Sequence, residues 1–413
     1  MTRVFITGLG VVSPVGIGVD AFGAALEAGQ TGAAEIAHFD HSAFERHIAC
    51  EVKGFRPRDH LTAAETRRAG RCSAMALAAA RMAVEHSGLS PERLQGERTG
   101  VIIGTTMGEA DVLGELESAW LHQGNHAIEA VKIPRYGTTL LPIHVARAVG
   151  ARGMVQTLPA ACAAGNYAIG FAADQIRAGR ADVMLTGASE VIEKLQFAGF
   201  VRLGAVSPDC VRPFDVGRKG LLVGEGAGMV VLESEAHLVR RGGVPIAEVG
   251  GYGLACDAHH ITRPHPDGEG SLHAMREAIR TSGLLPEQVD FINAHGTGTH
   301  ANDRVEAKVI AEIFGSHRPA VTSIKSMLGH CMGAASAIEA VSCVLSITRG
   351  LLPPTINIEE VDADCAHLDL VLDRTREGRA DVVLNNSLAF GGYDAVLALA
   401  KPGLLPDPAE VLA

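Results

Sequence analysis

The chain has 413 residues, of which 47% are hydrophobic, and a formal net charge of -11 from 36 Lys and Arg against 47 Asp and Glu. This length can bury a large core, and the acidic balance without a dense basic run argues against nucleic acid as a partner. No stretch of about 20 uninterrupted apolar residues occurs, so we expect no membrane span. The eight cysteines form no CxxC pair, which favours a reducing compartment and a cytoplasmic location.

Short β-branched runs alternate with alanine-rich runs along the first part of the chain, a pattern typical of sheets covered by helices. Glycines and Pro14 interrupt the apolar start, which therefore predicts a buried first strand rather than a signal peptide. The predicted strands are 3–7, 100–104, 155–158, 182–186 and 228–232, and the predicted helices are 63–86 and 163–178.

A second series of similar length begins after Gly242-Gly243. Its predicted strands are 246–250, 289–293, 320–323, 368–372, 381–385 and 395–399, and its predicted helices are 271–282, 303–314 and 334–348. The two series predict an α/β fold made of duplicated halves, 1–250 and 251–413, packed as one body with a site between them.

A turn of small residues surrounds one cysteine between strand 155–158 and helix 163–178. Cys162 is flanked by alanines, with Pro159 before it and Gly165 after it. A sulfur at the start of a helix lies at the positive end of the helix dipole, where thiolate is favoured. The turn therefore predicts a nucleophile, although buried cysteine is also a common core residue.

Two glycine-rich turns in the second series carry histidine. His295 lies in Asn293-Ala-His-Gly-Thr-Gly-Thr299, and Lys325 and His330 lie in Ser323-Ile-Lys-Ser-Met-Leu-Gly-His330. Histidine can donate to charge that develops on a substrate oxygen, and lysine adds fixed positive charge. A lone histidine beside glycine is usually a loop residue, but the three turns together predict one site at the ends of strands.

No metal site is predicted. His259 and His260 lie near Cys256 and Asp257 but lack a second spaced pair of ligands. Arginines at 67–68, 71 and 240–241 could offer a local basic patch to an acidic partner, although such groups are more often solvated helix faces.

Seven motifs, in order along nearly the whole chain, resemble those of the β-ketoacyl-[acyl carrier protein] synthases of the thiolase superfamily. They are Ala161-Cys-Ala-Ala-Gly165, Arg212-Pro-Phe-Asp215, Gly224-Glu-Gly-Ala-Gly228, His295-Gly-Thr-Gly-Thr299, Ser323-Ile-Lys-Ser-Met-Leu-Gly-His330, Pro353-Pro-Thr-Ile-Asn357 and Phe390-Gly-Gly392. The resemblance implies the thiolase fold in five layers (α-β-α-β-α), a tight dimer and decarboxylative Claisen condensation. It implies no cofactor, because acyl and malonyl groups arrive on the phosphopantetheine of an acyl carrier protein.

The resemblance also implies roles for single residues. Cys162 would accept the acyl chain, His295 and His330 would donate to thioester and enolate oxygens, and Lys325 would hold the histidine geometry. The backbone N–H groups of Cys162 and Phe390 would meet the oxyanion. The remaining implied positions are the acidic partner Glu339, the supporting residues Thr297, Thr299 and Asp303, the gate Phe390-Gly391-Gly392 and the acyl-channel residue Phe200.

Departures from the usual motifs favour one branch of the family. Ala389 precedes the gate where glycine is usual, which predicts a stiffer turn and an altered swing. Two alanines follow Cys162 where hydroxyl residues are usual, and Tyr393 follows the gate. Together with His300-Ala-Asn-Asp-Arg304, these features look more like ketosynthases of type II polyketide systems than housekeeping fatty acid synthases. Such ketosynthases commonly pair with a chain-length factor, a homologue without the cysteine, although a homodimer stays open.

Other classes fit the sequence less well. A housekeeping fatty acid elongating synthase is the alternative within the family. A thiolase needs a second catalytic cysteine in the C-terminal glycine turn, and Leu388-Ala-Phe-Gly-Gly392 has none. A cysteine hydrolase would leave His330 and Lys325 without a role. A non-catalytic partner subunit would not become acylated.

Overall fold

The computed structural model describes residues 2–407 and residue 411. Its strands are β1 Val4–Ser13, β2 Gly16–Ile17, β3 Ala34–Glu35, β4 Ile48–Ala49, β5 Thr99–Thr105, β6 Val155–Pro159, β7 Val183–Glu190, β8 Gly226–Ser234, β9 Ala247–Cys256, β10 Phe291–Asn293, β11 Ala320–Thr322, β12 Leu351–Leu352, β13 Asp369–Leu370, β14 Arg376–Glu377, β15 Val382–Ala389 and β16 Tyr393–Ala400. Its helices are α1 Val19–Glu27, α2 Pro57–His60, α3 Ala63–Thr66, α4 Arg71–Ser87, α5 Pro91–Leu94, α6 Ala110–Gln123, α7 Leu140–Val149, α8 Ala164–Arg177, α9 Lys194–Arg202, α10 Glu235–Arg241, α11 Glu269–Thr281, α12 His300–Phe314, α13 Lys325–Leu328 and α14 Ala335–Arg349.

The long strands form one hydrogen-bonded sheet with two equivalent parts. The first part runs β6-β5-β7-β8-β1 and the second runs β11-β10-β15-β16-β9, and the two meet where β1 pairs with β9. If the five strands of each part are numbered in chain order, their order across the sheet is 3-2-4-5-1 in both parts. In both parts the second, third and fourth strands are parallel, which requires long crossover connections through helices.

The two sheet parts and the helices that cover them stack in five layers. α8 and α14 contribute to the largest buried cluster together with residues of both sheet parts, so they lie between them. α4 and α7 cover the outer face of the first part, and α11 and α12 that of the second. Packing is close at glycine positions: a Cβ at Gly10 on β1 would lie 1.9 Å from the carbonyl oxygen of Ala79 on α4.

The structure bears out most predicted elements but divides one of them. The predicted helix 63–86 is two helices, α3 and α4, separated by a turn that ends at Gly70. Gly70 is extended, and a Cβ there would lie 2.1 Å from a carboxylate oxygen of Glu109. That carboxylate accepts hydrogen bonds from the N–H groups of Cys72 and Ser73 and so fixes the start of α4. The helical pattern of apolar residues in the sequence continues across this start and does not reveal it.

The remaining differences concern bounds. The predicted strand 368–372 is reduced to the two residues of β13, and the predicted strand 289–293 starts at Phe291. Residue 250 lies inside β9, so the strand that opens the second series begins before the division predicted there, and that division stays a prediction. No helix in the part of the chain that the structure describes is long and apolar enough to cross a bilayer.

Candidate active site

The predicted site residues come together at the ends of strands. Cys162 follows β6 in a 3-10 turn, Ala161–Ala163, that leads directly into α8. His295 follows β10, and Lys325 and His330 follow β11. β10, β11 and β15 are parallel, so their carboxyl ends lie at one edge of the sheet, where sites of α/β proteins form.

The backbone before the nucleophile is strained. Ala161 has a φ of 46°, in the left-handed region that costs a residue with a Cβ roughly 1 kcal/mol. A Cβ at Gly165 would lie 2.4 Å from the backbone nitrogen of Ala337, so glycine lets α8 cross α14 closely just after the turn. The small residues around Cys162 thus permit a sharp turn beside a tight helix crossing.

The Cys162 thiol is mostly protonated in the resting protein. Burial raises the pKa of Cys162 to about 11, although the Lys325 charge and the backbone N–H groups of Phe390 and Cys162 lower it. Burial thus acts against the thiolate that the helix dipole is expected to favour. The position at the helix start is confirmed, but burial of the sulfur outweighs the positive surroundings.

His330 faces the sulfur with a hydrogen to donate. Its Nε2 lies 3.0 Å from the Sγ of Cys162, and its Nδ1 accepts the backbone N–H of Met332 at 3.2 Å. Because Nδ1 must be unprotonated to accept that bond, the hydrogen of the neutral ring is on Nε2. His330 can therefore donate to a thiolate or an oxygen, but its neutral ring cannot take the thiol proton through this nitrogen.

His295 completes a pair of neutral histidines. Its ring centroid lies 5.4 Å from that of His330, at an interplanar angle of 83°. Burial, followed by the Lys325 charge, lowers the pKa of both rings well below the usual value. The carboxylate of Glu306 accepts the N–H groups of His295 and Gly296, at 2.8 Å each, and thereby orients the turn. The buried Nδ1 of His295 has no hydrogen-bond partner among the described residues.

Lys325 and Glu339 form a buried ion pair. Both side chains are almost fully buried, and the Lys325 ammonium contacts a carboxylate oxygen of Glu339. This is the acidic partner that the resemblance implies. Burial raises the pKa of Glu339, whereas the ammonium of Lys325 lowers it. The pair places a compensated positive charge beside the cysteine and both histidines.

Hydroxyl groups fix the backbone of the nucleophile. Ser336 on α14 donates to the Cys162 carbonyl oxygen at 3.1 Å, and Ser387 on β15 donates to it at 2.9 Å. The backbone N–H groups of Cys162 and Phe390 are both directed at the sulfur and lower the pKa of the thiol. Two N–H groups that converge beside a nucleophile have the arrangement of an oxyanion hole.

The turn 389–392, here called the gate turn, carries Phe390 over the site. Gly391 and Gly392 have φ values of 83° and 76°, so both positions need glycine. Ala389 has a φ of -110°, extended backbone that any residue adopts, so alanine imposes no strain in this conformation. The rings of Phe390 and Phe200 stack with centroids 5.8 Å apart.

A cavity of about 350 Å³ connects these groups. Its lining includes Cys162, both histidines, Phe200, Phe390, Thr297 and Thr299. Asp303 lies behind this wall, where its carboxylate accepts the backbone N–H groups of Thr297 and Phe214. The two threonines thus face the cavity, whereas Asp303 supports the turn that carries them.

Sequence reasoning missed several groups that hold the site. Met332 sets the His330 tautomer through its backbone, and Glu306 orients His295 from α12. Ser336, Ser387 and Asp394 also reach the site from other elements. Glu306, Ser336, Ser387 and Asp394 carry no signal in the sequence, because the packing of α12, α14, β15 and β16 brings them to the site.

The donor atoms do not form a metal centre. Among residues 2–407 and 411, no three His, Cys, Asp or Glu side chains are grouped so that they could hold a metal ion. The eight cysteines are free thiols in the structure.

Comparison with known proteins identifies the family. Residues 1–237 match the model of the beta-ketoacyl synthase N-terminal domain, and residues 246–359 match that of the C-terminal domain. The chain belongs to the β-ketoacyl synthase family and is a ketosynthase, an acyltransferase enzyme. It is 40% identical over 408 residues to 3-oxoacyl-[acyl-carrier-protein] synthase 2 of Coxiella burnetii, an alignment that covers 97% of this chain and 98% of the relative.

Solved structures of ketosynthases show the same fold. One, described as the ishigamide ketosynthase/chain length factor, is 43% identical, with a TM-score of 0.93 and coverage of 97% of this chain and 100% of that one. Another, a type II PKS acyl-carrier protein in complex with its ketosynthase bound to the hexaketide, is 31% identical, with a TM-score of 0.89 and coverage of 97% and 99%. The fold is therefore the thiolase fold, as the motifs predict.

Proposed function

We propose that the chain is an elongating β-ketoacyl-[acyl carrier protein] synthase that condenses a Cys162-bound acyl chain with a malonyl group on a carrier. The observation that carries this proposal is the His330 ring, whose donor nitrogen faces the sulfur 3.0 Å away while Met332 occupies the other nitrogen. A cysteine hydrolase needs a histidine that accepts the thiol proton and an acidic or amide group that orients it. In this chain the backbone N–H of Met332, and not an acidic or amide side chain, binds the Nδ1 of His330.

The first half-reaction loads the acyl chain. The Cys162 sulfur attacks the thioester carbonyl of an acyl carrier, and the phosphopantetheine sulfur leaves with the proton as a thiol. The backbone N–H groups of Cys162 and Phe390 stabilise the oxyanion of the tetrahedral intermediate. Only a small fraction of Cys162 is ionised at rest. Hydrogen-bond donation from His330 and the positive charge of Lys325 stabilise the thiolate, which is the reactive form.

The second half-reaction forms the carbon–carbon bond. Malonyl-carrier loses carbon dioxide, and the electron pair that remains forms an enolate whose oxygen needs hydrogen-bond donors. His295 and His330 are both neutral and buried, so they can donate to that oxygen without carrying charge themselves. The enolate carbon attacks the acyl carbonyl, and the Cys162 thiolate leaves. The cysteine holds the chain and the histidines stabilise the carbon nucleophile.

A dimer is part of the proposal. β6 is the last strand of the first sheet part, and the adjoining Met154 and Val155 are exposed, as is Ile143 on the covering helix α7. An edge strand flanked by exposed apolar side chains favours pairing with a second chain. We propose a chain-length-factor-like homologue as the partner, in keeping with the ketosynthase/chain length factor structure that this chain resembles. A homodimer is the alternative outcome.

The pathway proposed is a type II polyketide or polyene pathway. Similarity to the ishigamide ketosynthase/chain length factor and to the type II PKS ketosynthase supports it, and the carrier in the latter complex supports an acyl carrier protein as partner. Similarity to the Coxiella burnetii 3-oxoacyl synthase supports the alternative, fatty acid elongation. Co-expression with a homologue encoded by a neighbouring gene, followed by analysis of the acyl product, decides between the two pathways.

Intact-mass spectrometry tests the chemistry. After incubation with an acyl-carrier thioester, the wild-type chain should gain one acyl group on Cys162, and Cys162→Ala should gain none. His295→Ala should still become acylated but should fail to condense with malonyl-carrier. The proposal would be refuted if the wild-type chain gained no acyl group, whether measured alone or together with its partner subunit. Condensation by His295→Ala at a near normal rate would refute the enolate role of His295.

A further inference from the structure

Two carboxyl groups approach each other beside the gate turn. Asp394, on β16, is only 2% exposed, and Asp257 follows the neighbouring strand β9. An oxygen of Asp394 and an oxygen of Asp257 lie 2.5 and 2.6 Å from the point where a Cβ at Gly270 would stand. The two carboxyl groups therefore lie side by side over a glycine that leaves no room for a side chain.

The two carboxyl groups have different surroundings. Asp257 accepts the backbone N–H groups of His265 and Gly270, at 2.9 and 3.2 Å, and Gly270 lies in the first turn of α11, where negative charge is favoured. The Oδ2 of Asp394 receives no hydrogen bond from the described residues. Burial, followed by the charges of Asp257 and Glu306, raises the pKa of Asp394 to about 8. At neutral pH Asp394 keeps its proton and can donate it to Asp257.

The same region is bonded to the gate turn through the backbone. The N–H of Gly391 donates to the carbonyl oxygen of Ile261 at 2.7 Å, and the N–H of Asp257 donates to that of Gly392 at 3.0 Å. Segment 257–268, here called the flanking loop, is therefore tied to both glycines of the gate turn. Asp257 thus contacts Asp394 through its side chain and Gly392 through its backbone.

The charges that act on Asp394 are negative. Asp257 and Glu306 on α12 act on Asp394 by their charge, Tyr167 on α8 faces it, and Arg263 of the flanking loop and His295 line the same cavity. Burial, followed by the Asp394 charge, raises the pKa of Tyr167 to about 12, so this phenol stays neutral. Tyr393 packs its ring against Tyr167, and the His265 ring packs against His259 in the flanking loop. Within the described residues neither Asp257 nor Asp394 pairs with lysine or arginine.

We propose that a single proton held between Asp394 and Asp257 joins the gate turn to the flanking loop, and that loss of this proton loosens the turn. Asp394 is then a positioning residue for Phe390. The catalytic consequence rests on the proposed function, in which Phe390 gates the site, whereas the proton contact does not. Above neutral pH two carboxylates repel each other across Gly270. The gate turn is thereby sensitive to pH through a group that touches no reacting atom.

Hydrogen exchange followed by mass spectrometry tests this proposal on the purified protein. Exchange of peptides that contain 389–393 and 257–262 is measured from pH 6.5 to 9.5 and divided by the intrinsic rate of each peptide at that pH. In the wild type, protection of both peptides should fall roughly 10-fold between pH 7 and 9, because a group with a pKa of about 8 is mostly ionised at pH 9. A peptide from β8 should keep its protection over this range.

Two variants separate a titrating proton from a structural effect. Asp394→Asn keeps a neutral donor of the same shape, so its protection should not depend on pH. Asp257→Asn leaves Asp394 facing a neutral amide, so ionisation of Asp394 brings no second charge and the protection of this variant should not depend on pH either. An equal fall in the wild type and Asp394→Asn, or no fall in the wild type, overturns the proposal.

The outcome is independent of the test of function. Intact-mass measurement of acyl-Cys162 on the same samples reports the ketosynthase chemistry. Loss of protection at high pH without any acyl adduct supports the proton contact and refutes the proposed function. Normal acylation with protection that does not depend on pH refutes the proton contact alone.

Discussion

The charge of Lys325 should control the reactivity of a thiol that it does not touch. In Lys325→Met the buried carboxyl group of Glu339 loses its partner, and breaking such a pair costs about 3–5 kcal/mol. The double variant Lys325→Met/Glu339→Gln replaces the pair with two neutral groups and keeps the core filled. We expect it to recover most of that stability, which guanidinium unfolding measures.

The size of the effect on Cys162 follows from its environment. Three pH units below a pKa of about 11, roughly one thiol in a thousand is ionised. A neighbouring opposite charge shifts a pKa by about 1 unit or more. Removal of the ammonium should therefore lower the thiolate fraction, and with it the alkylation rate at pH 8, by roughly 10-fold.

Alkylation by iodoacetamide, with peptides resolved by mass spectrometry, measures this rate. The exposed thiol of Cys256 in the same chain serves as an internal standard, and Lys308→Met, which removes an exposed ion pair with Asp267, serves as the matched control variant. Cys162 should slow in the double variant and not in Lys308→Met. A double variant that is folded and alkylates Cys162 at the wild-type rate would refute the electrostatic role of Lys325.

Three further predictions concern stability. The raised pKa of Asp394 means that the folded chain binds a proton that the unfolded chain has lost, so this group's contribution decreases as pH rises from about 4 to about 8. Asp394→Asn should therefore show a smaller loss of melting temperature over that range in a series of thermal scans. Arg241→Met should destabilise the chain by about 3 kcal/mol in denaturant unfolding, because it leaves the buried Glu233 carboxylate with fewer donors, and a change under 1 kcal/mol would contradict this. Gly165→Ala should cost about 1–3 kcal/mol by forcing α8 from α14, and it should slow acylation of Cys162, whereas Gly179→Ala at an open left-handed position should leave acylation unchanged.

Local patterns predicted the fold and the placement of the candidate site residues well. Alternation of β-branched and alanine-rich runs placed most strands, and the small-residue turns located Cys162, His295 and His330 at strand ends. The predicted helix 63–86 was wrong because Glu109, distant in sequence, fixes a helix start at Gly70. Periodicity reports which face of a helix is apolar but not a carboxylate that arrives from another loop.

The electrostatics of the site were harder to predict. The helix dipole at Cys162 could be inferred from sequence, but burial of the sulfur, which decides its pKa, depends on the whole surrounding wall. The His330 tautomer likewise depends on one backbone N–H, that of Met332, whose direction follows from the turn geometry. Asp394 looked like an ordinary strand residue until β9 and the start of α11 placed Asp257 and Gly270 beside it.

The two serine hydroxyls that bind the Cys162 carbonyl oxygen separate the chemistry of this enzyme from its choice of substrate. Ser336 and Ser387 come from α14 and β15, whereas Phe200 reaches the cavity from α9. Replacements on α9 around Phe200 should therefore leave these two hydrogen bonds in place, although Phe390, which stacks on Phe200, carries one of the N–H groups beside the sulfur. On the proposed function, mutation of the α9 wall changes which acyl chains the site accepts, while the two serines keep the Cys162 carbonyl oxygen in place.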